Sequence, residues 1–146
     1  ERERGVTGMS FVAATSTLTH AGVMAMLQAA VARAEEIGQP QCIVIVDASG
    51  EPLGEIRMTG AKYLSRRSAR TKARTAASIG APSDAIPEAV RPHIAAATQN
   101  AVTGLGGGLP IRVGGVLLGG IGVGSGSAAQ DIDVGRAALT AIGAEV

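Results

Sequence analysis

Aromatic residues are almost missing from this chain: one Phe, one Tyr and no Trp among 146 residues. A core must therefore be built from Ala, Val, Ile and Leu, with 21 glycines allowing close approach. The same scarcity argues against nucleic acid as a partner, because single strands are held on aromatic stacking platforms. Cysteine is nearly absent too. The lone Cys42 excludes an intrachain disulfide and a cysteine-built metal site, and is expected as a small apolar core residue at the start of a strand. No apolar run reaches the roughly 20 residues of a membrane span. Charge of one sign is lacking as well. Thirteen Lys and Arg against twelve Asp and Glu leave +1, which selects no class of partner. The opening "ERERGVTGMS" has no apolar signal region, which points to a cytoplasmic location. Residues 1–17 are read as an N-terminal extension, with 1–8 as added sequence and Met9 as a natural start, and 18–146 as one domain.

What is present reads as alternating helices and hairpins. Thr19 is placed to cap a helix, with Leu18 as its staple residue. Val23, Met26, Leu27, Ala30, Val31 and Ala34 then recur at helical spacing, and Gly38 and Pro40 stop it. "CIVIV" (42–46), the turn Asp47–Gly50 and a return strand Leu53–Met58 make a first hairpin. A second helix ends at Gly80 and Pro82. The stretch 83–104 is broken by prolines into short helical pieces or an ordered loop. Leu109–Val113, Gly114-Gly115 and Val116–Val123 form a second hairpin. A last helix follows Ser127 as N-cap, with Ile132, Leu139 and Ile142 on its buried side. Hairpins pair strands antiparallel, so the expectation is an α+β fold, an antiparallel sheet of two hairpins with helices packed on its faces.

Three stretches carry a resemblance: "IVDASGEPLGEIRMTGA" (45–61), "KARTAA" (72–77) and "GGLPIRVGGVLLGGIGVGSGSAAQD" (107–131). Together they resemble the haem-degrading-domain family, which includes GlcG-like and HbpS-like proteins and the C-terminal domain of some corrinoid adenosyltransferases. The likeness runs from about Leu18 to Leu139. It implies a profilin-like or roadblock-like fold, self-association into dimers or larger rings, and binding of haem or another small molecule in a pocket. The family commonly has Glu-Gln-Asp where this chain has Ala129-Gln130-Asp131.

Nine of the 25 residues from Gly107 to Asp131 are glycine, and two readings of them stay open. They can form a tight turn and let a helix or subunit lie close to a strand. Alternatively, Gly124, Ser125, Gly126 and Ser127 can aim backbone N–H groups at an anion beside the last helix. "GGIGVG" is no dinucleotide fingerprint, because it lies within a hairpin strand.

The second helix is the richest in chemistry. Lys62, Arg66, Arg67, Arg70, Lys72 and Arg74 are six of the thirteen basic residues, and no carboxylate occurs between Glu55 and Asp84. At about 100° per residue, Arg66, Arg70 and Arg74 share one side. Ala69, Ala73, Ala76 and Ala77 make a packing face, and Lys72 projects from its opposite border. Like charges at i, i+4 repel, so solvent, partner carboxylates or an anionic ligand must offset them. Arginine forks suit planar oxyanions, whether carboxylate, phosphate or haem propionate. One short basic stripe is a small footprint for nucleic acid.

His20 opens the first helix, where the dipole favours the neutral, iron-ligating form. His93 follows Arg91-Pro92 in the broken segment and is favoured as the pocket histidine. Two histidines alone do not make a zinc site. Tyr63 is a proton donor or an axial haem ligand, or packs flat beside the helix. Asp131 and Asp133 fall in the first turn of the last helix, where the dipole favours them.

Three functions fit. The first is a cytoplasmic homo-oligomer holding haem or a small carboxylated molecule. Arg66, Arg70, Arg74 and Lys72 would bind its acid groups, His93 or His20 its iron, and Ile111, Val113 and Leu117 its apolar part. The second is a cofactor-free isomerase, tautomerase, lyase or cyclase, with an arginine stabilising developing negative charge and His93, Tyr63 or Asp131 moving a proton. The third is a structural accessory subunit.

Overall fold

A computed structural model of the chain describes residues 10–146. Helix α1 (His20–Glu36) begins at Thr19, whose hydroxyl accepts the Gly22 N–H at 3.1 Å. Leu18 is buried just ahead of it. Strands β1 (Cys42–Asp47) and β2 (Pro52–Arg57) form the first hairpin. The Asp47 carboxylate accepts the N–H groups of Ser49 and Glu51 and closes its turn. Helix α2 (Ser65–Ile79) stops at left-handed Gly80. The proline-broken stretch resolves into two 3-10 turns, Ser83–Ala85 and Glu88–Val90, and helix α3 (Arg91–Ala97). Strands β3 (Gly108–Val113) and β4 (Val116–Gly124) meet at Gly114-Gly115, where φ of +57° and +80° gives a two-residue hairpin turn. Helix α4 (Ala128–Ala141) opens on a reciprocal capping box between Ser127 and Gln130.

The four strands form one antiparallel sheet in the order β2-β1-β4-β3. This is the α+β arrangement that the hairpin pattern implies. Alternation along the strands sends Ile43, Ile45, Leu109, Ile111, Ile121 and Val123 to one face, where α1 and α4 cover them with Met26, Ala30, Val134 and Leu139. Cys42, Val44 and Val46 go to the other face, under α2 and its Ala69, Ala73 and Ala77.

Glycine decides how α2 sits. Cys42, Val44 and Val46 pair in register with Gly124, Gly122 and Gly120 of β4. A Cβ on Gly122 would collide with the backbone of Ala69 and Ala73, and one on Gly120 with the backbone of Ala73 and Ala77. Two strand residues advance about 6.8 Å and four helical residues about 6.0 Å. Alanines every fourth residue therefore keep step with glycines every second one. The helix lies with its backbone almost on the strand, which is what the G-x-G-x-G run provides.

Candidate functional site

With its alanines on the sheet and Ser65, Lys72 and Thr75 also buried, α2 presents its remaining positions outward. Tyr63, Arg66, Arg67, Arg70, Thr71 and Arg74 line a groove of about 460 Å³, closed on its far side by Gln99, Asn100 and Ala101. Arg70 is paired with Glu55 of β2 at 3.0 Å, and Arg74 donates to the Gly50 carbonyl at 2.9 Å. Arg66 and Arg67 are exposed and have no acceptor among the described residues. The repulsion expected along this stripe is thus offset at one end by Glu55 and a turn carbonyl, and left uncompensated at the other.

The wall opposite α2 is built from a turn and the segment that follows it. Gln99 and Asn100 both adopt left-handed backbone, φ +54° and +64°, and reverse the chain after α3. Such conformations cost non-glycine residues on the order of 1–3 kcal/mol and persist where surrounding structure fixes them. The N–H groups of Gln99 and Asn100 close back on the Ala96 and Ala95 carbonyls, and the chain just beyond is tied to the body of the fold. Buried Thr75 on α2 accepts the Thr103 N–H at 3.0 Å, and buried Ser83 donates to the Leu105 carbonyl at 2.6 Å while accepting the Gly108 N–H at 2.9 Å. Between these anchors Leu64, Val102 and Leu105 line a second stretch of groove, about 500 Å³, which shares Arg67, Thr71, Gln99 and Asn100 with the first.

A third cleft, about 280 Å³, continues from it past Leu64, Ser68 and Leu105. At its base lies a buried ion pair. Lys72 Nζ donates to Asp131 Oδ2 at 3.1 Å and to the Val123 carbonyl at 2.9 Å, and the two side chains are 7% and 2% exposed. The other Asp131 oxygen accepts the Gly126 N–H at 3.1 Å. Ser125 forms part of the rim with φ +105°, its hydroxyl accepting the Lys62 N–H at 2.8 Å.

The structure brings Tyr63, Arg66, Arg70 and Arg74 into one groove, as the helical spacing requires. Other expected placements change. Lys72 projects from the opposite border of the alanine face, as its spacing predicts, but there it is buried on Asp131 and so does not share acid groups with the arginines. Gly126 and Ser127 do not form an open anion nest, because their N–H groups are already taken by Asp131 and by Gln130. Gly124 is spent on the sheet, opposite Cys42. Ile111 lies in the core beneath α1 and α4, across the sheet from the arginines, so it cannot supply the groove's apolar wall. Val113 and Leu117 do not line the groove either. Leu64, Val102 and Leu105 form that wall instead.

The trio His93, Tyr63 and Asp131 is not assembled. Tyr63 is 72% exposed in the arginine groove, Asp131 is buried and paired with Lys72 at the base of the third cleft, and His93 is exposed on α3. Ala95 of α3 faces the groove, and a residue two positions away on a helix points about 200° elsewhere. His20 is exposed at the head of α1, which packs on the opposite sheet face. Among the described residues no three His, Cys, Asp or Glu side chains cluster as a metal site, and no helix is long and apolar enough to cross a membrane. The residues missed from sequence are Arg67 and the wall Gln99–Asn100. Helical projection puts Arg67 about 20° from Arg74, which would have found it. The left-handed tolerance of Asn after a short helix hints at the wall, but nothing local shows that it folds back over α2.

Comparison with known proteins places this geometry. The family model described as haem degrading protein, HbpS-like, matches residues 18–140. A corrinoid adenosyltransferase PduO from Citrobacter freundii is 38% identical over 122 residues, 80% of this chain and 36% of that protein. The chain thus spans about a third of the length of that relative. The crystal structure of a PduOC–haem complex superposes with a TM-score of 0.83 at 30% identity, covering 89% of this chain and 98% of that one. The Klebsiella pneumoniae protein ORFY superposes with a TM-score of 0.88 at 28% identity, covering 94% and 99%. On the matched span and on the shared fold, the chain belongs to the HbpS-like haem degrading protein family.

Proposed function

We infer that the protein binds a small anionic molecule in the groove along the outer face of α2, with haem the foremost ligand. The observation that carries this reading is the set Arg66, Arg67, Arg70 and Arg74 converging on one groove, with Arg66 and Arg67 lacking any carboxylate among the described residues. Free guanidinium groups beside an apolar wall suit a flat apolar body with acid groups on its edge. The haem complex of the related PduOC supports that choice of ligand.

The residues present fit haem in character. Arg66 and Arg67, which are unpaired among the described residues, would take the propionates, with Arg70 and Arg74 turning to them from Glu55 and the Gly50 carbonyl. Leu64, Val102 and Leu105 would meet the macrocycle, and Tyr63, which lines the groove, would reach the iron. His20 and His93 lie outside this groove and would ligate iron only across a contact between copies, in keeping with a cytoplasmic, self-associating protein. Bound haem would supply redox and oxygen chemistry that these side chains lack.

A haemin titration followed by absorption tests the reading. A saturable Soret shift near one haem per chain is expected. Arg66→Ala, Arg70→Ala and Arg74→Ala combined should weaken it at least tenfold. Tyr63→Phe, His20→Ala and His93→Ala, made singly, identify the iron ligand by the change in the ligand-field bands. Unsaturable uptake, indifferent to the arginines, refutes the site.

A further inference from the structure

We propose that the Lys72 cleft is a second anion subsite, so that the whole groove takes an elongated molecule with an acid group at each end. The argument starts from Lys72. An ammonium carries three N–H donors. Two are used, on Val123 and Asp131, and the third has no acceptor among the described residues although the side chain is 7% exposed. The group lines an open cleft, so this third N–H is available to a ligand lying there.

The rest of the cleft has the matching chemistry. Lys62 lines it too, and no ion pair holds its side chain among the described residues. Ser125 adds a hydroxyl that accepts the Lys62 N–H and still has its own O–H to give, and Ser68 adds one that donates only at 3.4 Å to the Ser65 carbonyl. Asp131 is the one carboxylate lining the cleft, and Lys72 neutralises it. Asp84 stands behind Gly106 of the cleft, its Oδ2 3.3 Å from where a Cβ there would lie, so the cleft offers an acid group N–H donors rather than an excess of charge.

The two subsites belong to one groove. Leu64, Ser68 and Leu105 are shared between the cleft and the apolar middle stretch, and Arg67, Thr71, Gln99 and Asn100 between the middle and the arginine end. Arg70 and Arg74 each stand two positions from Lys72, about 200° around the helix. Half the girth of a helix about 10–12 Å across is roughly 17 Å. A ligand reaching both ends has an apolar middle and acid groups about that far apart, so it is a further class of ligand for the groove beside haem, whose propionates lie on one edge.

The inference rests on the arginine end binding an acid group, so the test separates the two. Straight-chain α,ω-dicarboxylates of increasing length and the matching monocarboxylates are titrated calorimetrically into the full chain, into Arg66→Ala/Arg70→Ala/Arg74→Ala, and into Lys62→Ala/Ser68→Ala. The last pair avoids the buried Lys72, and circular dichroism checks its fold. Affinity should peak at a length near 17 Å, at least tenfold above the monoacid, and each variant should bring the diacid down to the monoacid level. If Lys62→Ala/Ser68→Ala leaves diacid binding unchanged while the arginine variant abolishes it, the second subsite is refuted and the arginine reading stands. If only the Lys62/Ser68 variant matters, the cleft stands and the arginine reading falls. No preference for diacids over monoacids overturns the proposal outright.

Discussion

Lys72→Met replaces a buried cation by an unbranched side chain of similar length, so it tests charge more than volume. In the variant Asp131 keeps the Gly126 N–H but loses the ammonium at 3.1 Å, and the Val123 carbonyl loses a donor at 2.9 Å. Removing one member of a buried pair costs about 3–5 kcal/mol, because the other is left charged and uncompensated. A domain this size has about 5–15 kcal/mol in all, so the midpoint of urea unfolding should fall steeply. Lys72→Met/Asp131→Leu removes both charges. It gives up the Gly126 hydrogen bond, about 1 kcal/mol, but leaves no ion stranded, and should be at least about 2 kcal/mol more stable than Lys72→Met alone. The destabilisation of Lys72→Met should persist in 1 M salt, where exposed pairs are screened. Equilibrium urea melts at pH 7, in low and high salt, measure all of this. A Lys72→Met variant within about 1 kcal/mol of the parent, or a double variant as unstable as the sum of the two singles, would refute the account of a buried, mutually dependent pair.

Other outcomes follow from the same contacts. Gly122→Ala drives a methyl into the backbone of Ala69, and overpacking should cost about 3 kcal/mol or more in a thermal melt, whereas Gly114→Ala, with open space at φ +57°, should cost only about 1–2 kcal/mol. Ser127→Ala removes the capping box of α4 and should lower stability by about 1 kcal/mol in denaturant, with ligand binding unchanged if that turn serves the cap alone. Burial pushes the Cys42 thiol up, against the pull of Arg57 and Arg66. The fold keeps that thiol protonated, so its contribution is complete below the unfolded thiol value near pH 8.5 and is lost as pH rises beyond it. Cys42→Ala should flatten this alkaline loss, and the parent thiol should resist a disulfide reagent at neutral pH until urea is added.

Which parts of the molecule were readable follows from how local their causes are. The caps at Thr19 and Ser127, the Gly114-Gly115 turn and the alternation of Cys42–Val46 are set by neighbours in the chain, and each forms where the pattern puts it. The alanine face of α2 is equally legible, as is the sharing of one side by Arg66, Arg70 and Arg74. The site is only half legible. Lys72 reads as one more surface cation because its partner lies 59 residues on, and only the sheet brings α4's first turn beneath it. Gly126 and Ser127 read as free donors because their acceptors come from side chains whose rotamers no pattern shows. The groove wall from Gln99 to Leu105 depends on Thr75 and Ser83, two polar residues whose burial is a long-range fact.

The close seat of α2 on Gly120 and Gly122 has a consequence for how such a protein can change. The position of this helix is fixed by main chain against main chain, so it owes little to the residues on its outer surface. Arg66, Arg67, Thr71 and Leu64 can then be exchanged without disturbing the interior, each exchange altering what the groove accepts. A lineage built this way can redirect its ligand by rewriting a few letters on one side of a single helix. An experimenter can do the same with a small library over those positions.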